Sequence, residues 1–100
     1  MIINLTPHAI NLPDRTIEPS GQVARCKEIS FVVGEFDGVT LVRKKYGEVE
    51  GLPEAEKGTL YIVSMLVRQA LQDRTDIASP GDLVRDQKGQ ITGASNLVVT

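Results

Sequence analysis

The sequence is poor in the residue types that build catalytic, redox and metal sites. Its 100 residues include one cysteine, one histidine, no tryptophan and only two tyrosines and two phenylalanines. A lone Cys26 excludes an internal disulfide, and a single histidine without further cysteines excludes the usual zinc sites. So few aromatic side chains also argue against the stacking platforms that bind single-stranded nucleic acid.

The chain also lacks long apolar runs and a strong charge excess. Its apolar runs are a few residues long, far below the ~20 needed to span a bilayer, and the start MIINLTPH lacks the basic and apolar regions of a signal peptide. The net charge of -2 argues against a broad surface that neutralises phosphates. We therefore expect a cytoplasmic protein with no membrane segment and no broad nucleic-acid surface.

Length and composition predict one domain spanning residues 1–100. A hydrophobic content of 41% and a charged content of 24% are typical of globular proteins. One hundred residues suffice for one hydrophobic core but not for two. No linker-like segment or internal repeat divides the chain.

Most of the chain carries strand and turn signals. Short β-branched and aromatic runs are separated by glycine, proline and aspartate. The strongest turn signal is Asp37-Gly38 between the strand-like residues 29–33 and 39–42, because glycine supplies the positive φ that a tight hairpin demands. A second hairpin is predicted at residues 83–92, around Asp86 to Gly89.

One segment has helical periodicity. After the strand-like residues 61–63, apolar side chains recur at helical spacing from Ser64 onward. Beyond this helix, residues 75–81 contain Ser79-Pro80-Gly81 and predict a long polar loop, able to turn backbone N–H groups toward an anion. The elements together predict an α+β fold, a mainly antiparallel curled sheet or partial barrel of about seven or eight short strands with one helix.

Two arginine and aspartate pairs form the main candidate for a binding site. Arg74 and Asp76 follow the predicted helix. Arg85 and Asp86 stand at the predicted second hairpin. An arginine offers a planar fork of donors that matches phosphate or carboxylate, and a nearby aspartate fixes that fork or accepts from ribose hydroxyls. The alternative is that these residues form surface ion pairs, which contribute about 0–1 kcal/mol each.

Two further residues are candidates for ligand contact. His8 is the only side chain of the type that exchanges protons near neutral pH, although a lone histidine without a positioned partner is more often structural. Ser64 is expected to cap the helix, and a helix start also favours an anion. No glycines flank Ser64 as they do in a nucleophile elbow, and the acidic residues after Tyr46 lack the pattern of a calcium loop. We therefore assign no catalytic residue, no metal and no cofactor.

Four segments resemble a family of small proteins found in bacteriophage and prophage genomes. The segments are NLTPHAI at residues 4–10, GEVEGLP at 47–53, YIVS at 61–64, and the region from Arg74-Thr75-Asp76 through Pro80 to Val84-Arg85-Asp86. The resemblance covers nearly the whole chain and implies a phage origin and a compact single domain. Members of this family are generally hypothetical proteins, so it implies no particular activity.

The sequence supports three hypotheses about function. The leading hypothesis is a non-enzymatic protein that sequesters a nucleotide or an ADP-ribose-derived defence signal, as some other small phage proteins do. Arg74 and Arg85 would hold phosphates, and His8 would donate to the ligand from the opposite wall. Asp76 and Asp86 would orient the two arginines or accept hydrogen bonds from sugar hydroxyls. The alternative is a protein-interaction or virion-accessory module with no small-molecule ligand, and a hydrolase using His8 ranks third. The sequence is also compatible with a homo-oligomer.

Overall fold

The chain runs through eight strands and one helix. The computed structural model describes all residues from Met1 to Thr100. In chain order the elements are β1 (Ile2–Asn4), β2 (Ile10–Asn11), β3 (Thr16–Ile17), β4 (Arg25–Phe36), β5 (Val39–Glu50), β6 (Leu60–Ile62), α1 (Met65–Ala70), β7 (Ile77–Arg85) and β8 (Ile91–Val98). This confirms the predicted α+β class and the predicted number of strands.

The main sheet has four strands in the order β1, β6, β7, β8. β6 pairs in parallel with both β1 and β7, whereas β7 and β8 form an antiparallel hairpin. The parallel return from β6 to β7 is possible because α1 lies in the connection and provides the crossover that parallel strands require. The other sheets are the two-stranded β2–β3 and β4–β5 hairpins, and the sheets do not close into a barrel.

The helix begins at the predicted residue and is short. Ser64 is its N-cap, and the Ser64 hydroxyl accepts a hydrogen bond from the Val67 backbone N–H at 3.2 Å. Val67 is fully buried against the sheet, while the Arg68 Nε donates to the buried Ser79 hydroxyl at 2.7 Å. These two side chains fix the helix over β7. No helix of this protein has the length and apolar character that crossing a membrane requires.

The core is small. Only 13 of the 100 residues are buried, and the main apolar cluster consists of Leu5, Ala24, Tyr61, Val63, Val67 and Ile77. Tyr61 satisfies its buried hydroxyl by donating to the Glu54 carbonyl at 3.2 Å. The cluster lies where β1, β6, β7 and α1 meet, so it covers one part of the chain only.

The predicted polar loop at residues 75–81 is wrong, because most of it is strand. β7 begins at Ile77, and Ile77, Ala78 and Ser79 are buried. The backbone N–H groups of Tyr61 and Val63 donate to the carbonyls of Asp76 and Ala78, so pairing with β6 decides the conformation. Pro80 is tolerated since the β6 pairing ends at Ala78, and its missing N–H removes no bond to β6.

The β4–β5 hairpin projects from the core as an arm, which we define as residues 27–48. The predicted Asp37-Gly38 turn is confirmed, with φ of 49° and 80° and with Phe36 paired to Val39 across it. Every residue of the arm is exposed. The radius of gyration is 16.0 Å, compared with about 13 Å for a compact domain of 100 residues, so the arm is an extension that the core does not cover.

The base of the arm makes a testable backbone contact at Gly51. Gly51 has a φ of 83°, and a Cβ atom there would overlap the carbonyl oxygen of Val23. We expect Gly51→Ala to lower the free energy of unfolding by about 2 kcal/mol or more, because strain and overlap add. Gly58→Ala is the matched control, since Gly58 has a φ of 79° but open space around it, and should cost about 1 kcal/mol. Urea denaturation of both variants measures the difference, and equal losses would show that the Val23 contact is unimportant.

Candidate functional site

Arg74 and Asp76 form a paired structure rather than an open anion site. The Arg74 Nε and Nη2 atoms donate to the two Asp76 carboxylate oxygens, each at 2.7 Å. Nη2 also donates to the Pro53 carbonyl at 3.2 Å. The Asp76 and Arg74 side chains are only 15% and 27% exposed. The pair therefore ties the segment before β6 to the start of β7, and most of the guanidinium fork is occupied.

The same pair shifts the titration of both groups. The hydrogen bonds from Arg74 hold the pKa of Asp76 below its ordinary value, against a smaller opposing effect of burial. The carboxylate in turn raises the pKa of Arg74. Both shifts favour the charged forms, which is the behaviour of a structural ion pair.

Arg85 and Asp86 lie at the other end of β7 and close its hairpin with β8. The Arg85 Nη1 donates to the Gly89 carbonyl at 2.8 Å. The Asp86 Oδ1 accepts from the backbone N–H groups of Lys88 and Gln90 at 2.9 and 3.0 Å. These bonds build the turn that the sequence predicted.

The predicted four-residue constellation is therefore not one pocket. Asp76 directly precedes β7 and Arg85 ends it, so strand rise separates them by roughly 30 Å. The residues between Asp76 and Arg85 form an extended strand rather than a loop, so closeness in sequence does not bring the two pairs together in space. The two pairs serve two separate structural contacts.

His8 and Ser64 have different surroundings. The His8 side chain is exposed and makes no hydrogen bond within the protein, whereas its carbonyl accepts from the Asn4 Nδ2 and the Thr6 hydroxyl at 2.8 and 3.0 Å. Ser64 uses its hydroxyl as the helix cap and also lines a surface cleft. Only Ser64, among the predicted ligand residues, borders a cavity.

This cleft lies at the base of the arm and has a volume of about 240 Å³. Its lining residues are Pro7, Val23, Ala24, Arg25, Cys26, Ser64 and Leu66. Arg25 is exposed and has no ion pair or hydrogen bond from its side chain, so it is the free cation of the cleft. The sequence gives no signal for it, because Arg25 meets the helix start only through the tertiary fold.

A second cleft of about 230 Å³ separates β2 from the β7–β8 hairpin. Its walls include the apolar side chains of Ile10, Leu83 and Ile91, and it contains no charged residue. No group of three or more histidine, cysteine or acidic side chains is arranged to hold a metal ion.

The largest unexplained feature is an apolar face of the arm, which sequence reasoning also missed. Pairing of β4 with β5 places five side chains on one face, which we call the outer face: Ile29, Phe31, Phe36, Val39 and Leu41. Their exposure ranges from 44% for Leu41 to 69% for Phe36. Side chains alternate along β4, so Ile29 and Phe31 lie opposite Cys26, which packs on the core. The outer face therefore points away from the core of its own chain.

The opposite face of the arm is more polar. Glu28 and Lys44 form a diagonal ion pair there, and the hydrogen bond that the Lys44 ammonium donates to this carboxylate raises the pKa of Lys44. Ser30, Glu35 and Thr40 alternate with the apolar side chains on the same face. The arm is thus an amphipathic ribbon.

Exposure of the outer face has an appreciable free-energy cost. Full burial of an aliphatic or phenylalanine side chain contributes about 1.5–3 kcal/mol, so covering five half-exposed side chains would contribute about 4–8 kcal/mol. Isolated two-stranded hairpins are at best marginally stable in water. Contiguous apolar patches on soluble proteins commonly mark interaction sites.

Searches of the chain against protein-family models, curated proteins and solved structures gave no match. The geometry described above is therefore the basis for any functional conclusion. The likeness to small phage proteins stays a prediction.

The Arg74–Asp76 pair predicts a pH-dependent stability. Because the folded pKa of Asp76 is below its ordinary value of 3.8, the folded protein takes up this proton less readily than the unfolded chain. Its contribution is therefore present at neutral pH and is lost as the pH falls below about 4 through the lowered pKa. We expect Asp76→Asn to reduce the free energy of unfolding by about 1–3 kcal/mol at pH 7, with the difference narrowing below pH 4.

Urea denaturation between pH 3 and pH 7 measures this effect. Asp14→Asn is the control, because the Asp14–Arg15 pair is exposed and should contribute less than about 1 kcal/mol at any pH. A constant loss in Asp76→Asn across this range would contradict the assignment.

Proposed function

We propose that this protein is a non-enzymatic interaction module whose arm docks on another protein subunit. The observation that carries the proposal is the outer face, with five large apolar side chains that the chain itself leaves uncovered. The likeness to phage proteins suggests a virion-accessory or similar assembly role in the host cytoplasm. Docking of this kind needs neither a cofactor nor a reaction.

The composition of the outer face supports a protein partner. Phe31 and Phe36 provide aromatic anchors of the kind that carry much of the binding energy in protein interfaces. Arg43 and Lys45 lie on the same face, directly across from Phe31 and Ile29, so this half of the face carries cations beside its apolar side chains. Arginine is enriched in protein interfaces. The two long strands also leave both ribbon edges unpaired, so backbone pairing with a partner is available as well.

The leading sequence-based hypothesis, capture of a nucleotide or ADP-ribose-like ligand, has weaker support. Its arginines are held in two structural contacts about one strand length apart. The cleft beside Ser64 offers one free cation, Arg25, but its volume of about 240 Å³ is below the ~300–1,000 Å³ typical of ligand pockets. We retain it as a second candidate, an anion site that fits one or two phosphate groups.

Substitutions in the outer face test the interaction module. We expect the variant Ile29→Thr/Phe31→Thr/Leu41→Thr to lose association with other subunits and to run as a free chain of 10.9 kDa. Threonine keeps the preference for strand while removing most apolar area, and these side chains do not support the core. Size-exclusion chromatography of tagged protein in extracts of its producing cells measures the association, and circular dichroism checks the fold.

The matched control is Val32→Thr/Val42→Thr on the opposite face, which should associate as the native protein does. A native protein that runs as a free chain in extract and after purification would overturn the interaction proposal. Equal loss of association in both variants would show that the face is not what the partner recognises.

Substitution of Arg25 tests the second candidate. Pyrophosphate is expected to raise the melting temperature of the native protein, since a ligand at ~100 times its Kd contributes about 2.7 kcal/mol. Arg25→Ala should abolish the shift, whereas Arg15→Ala, a change at an exposed arginine outside the cleft, should retain it. No shift in the native protein, or equal shifts in both variants, would remove the cleft as an anion site. Recovering the pyrophosphate intact would separate binding from hydrolysis.

A further inference from the structure

We propose that the subunit covering the outer face is a second copy of this chain, with the two arms packed face to face and antiparallel about a twofold axis. This inference rests on the proposed interaction function and specifies its partner. It follows from the shape of the arm, the area it offers and the distribution of its charges.

The shape of the arm suits self-association. A twofold interface uses the same patch on both subunits, so the patch must be complementary to itself. The outer face is a two-stranded ribbon with apolar side chains in both strands, and two such ribbons pack as sheets do, about 10 Å apart. No cavity or protruding element interrupts this face, so one copy presents the surface that the other needs.

The flat area of two arms comes close to what a dimer interface needs. Each strand of the arm has 12 residues, which gives a ribbon about 40 Å long and 10 Å wide. Each copy therefore offers roughly 400 Å² of plane before side-chain relief is counted. Two fully overlapped arms would bring together about 800 Å² of plane, and side-chain relief raises this toward the ~1,000 Å² that a biological interface requires.

The charges of the arm favour the antiparallel arrangement. Residues 33–40 at the tip contain Asp37 in the turn, Glu35 on the opposite face, and no basic residue. Residues 25–30 and 43–50 at the base contain five basic and three acidic residues. Antiparallel arms place each negative tip over the other copy's positive base, whereas parallel arms place like charge against like.

Purified native protein provides the first test. Sedimentation velocity should show a species of twice the 10.9 kDa chain mass at micromolar concentration. Phe31→Glu should raise the dimer dissociation constant roughly 100-fold or more, because both copies lose a central aromatic anchor and gain a charge. Val32→Glu is the matched control, since the neighbouring Val32 is 73% exposed on the opposite face and should leave the dimer intact.

A distance measurement tests the arrangement of the arms. A spin label at Lys27→Cys, in a Cys26→Ser background, lies on the outer face about 19 Å along the ribbon from the centre of the apolar cluster. Antiparallel arms should give a label separation of about 35–40 Å, and parallel arms one below about 20 Å. Double electron–electron resonance distinguishes these values.

The outcomes separate this inference from the proposed function. A dimer that Phe31→Glu dissociates, that Val32→Glu preserves and that has the longer label distance supports the inference. A dimer with the shorter distance, or one that Phe31→Glu does not affect, overturns it. Native protein that is monomeric when purified but associates through the outer face in extract also overturns the inference that the partner is a second copy of this chain. In that case the proposed interaction function stands, with a different partner.

Discussion

The buried strand β6 is the constraint on which the rest of the fold depends. Its three residues pair in parallel with β1 on one side, and Tyr61 and Ile62 pair in parallel with β7 on the other. Backbone bonds at its end, from Leu5 to the Ile62 carbonyl and from Val63 to the Ala78 carbonyl, extend both ladders. Because β6 has no free edge, it fixes β1 and β7 on either side of it and sets where the helix begins.

This arrangement explains why the polar residues of the second half are structural. Once β7 is held against β6, Asp76 and Arg85 stand at opposite ends of an extended strand. Each then forms a hydrogen bond with a nearby group. Asp76 accepts from the Arg74 guanidinium, and Arg85 donates to the Gly89 carbonyl. Charged residues close together in sequence form a common site only when the chain between them turns back, and a central strand prevents that.

The small size of the core leaves the arm uncovered. The 13 buried residues are supplied by the short strands, the helix and the segments that join them, and Ala24 and the partly buried Cys26, just before the arm, pack on this core. The ribbon beyond has no second layer, although a sheet with an apolar face normally requires one. A partner subunit would provide that layer, so the small core and the proposed assembly function have one cause.

Local signals were sufficient for the elements whose conformation is decided within a few residues. The Asp37-Gly38 turn, the Ser64 cap and the hairpin around Gly89 could be predicted because positive φ angles and side-chain caps act over three or four residues. The α+β class followed from the alternation of strand and turn residues and from the single helical segment. These features need no knowledge of distant contacts.

Tertiary structure decided what local signals could not. Residues 77–81 carry a turn-like composition, yet pairing with β6 and β8 makes them strand, since backbone hydrogen bonding to two neighbours outweighs local preference. The free cation Arg25 meets Ser64 only because the arm base crosses the helix start. The outer face could not be predicted from the sequence either, because an apolar strand has the same sequence pattern whether or not the core covers it. Which apolar face is covered depends on the layers packed around it, and that is a property of the assembled fold.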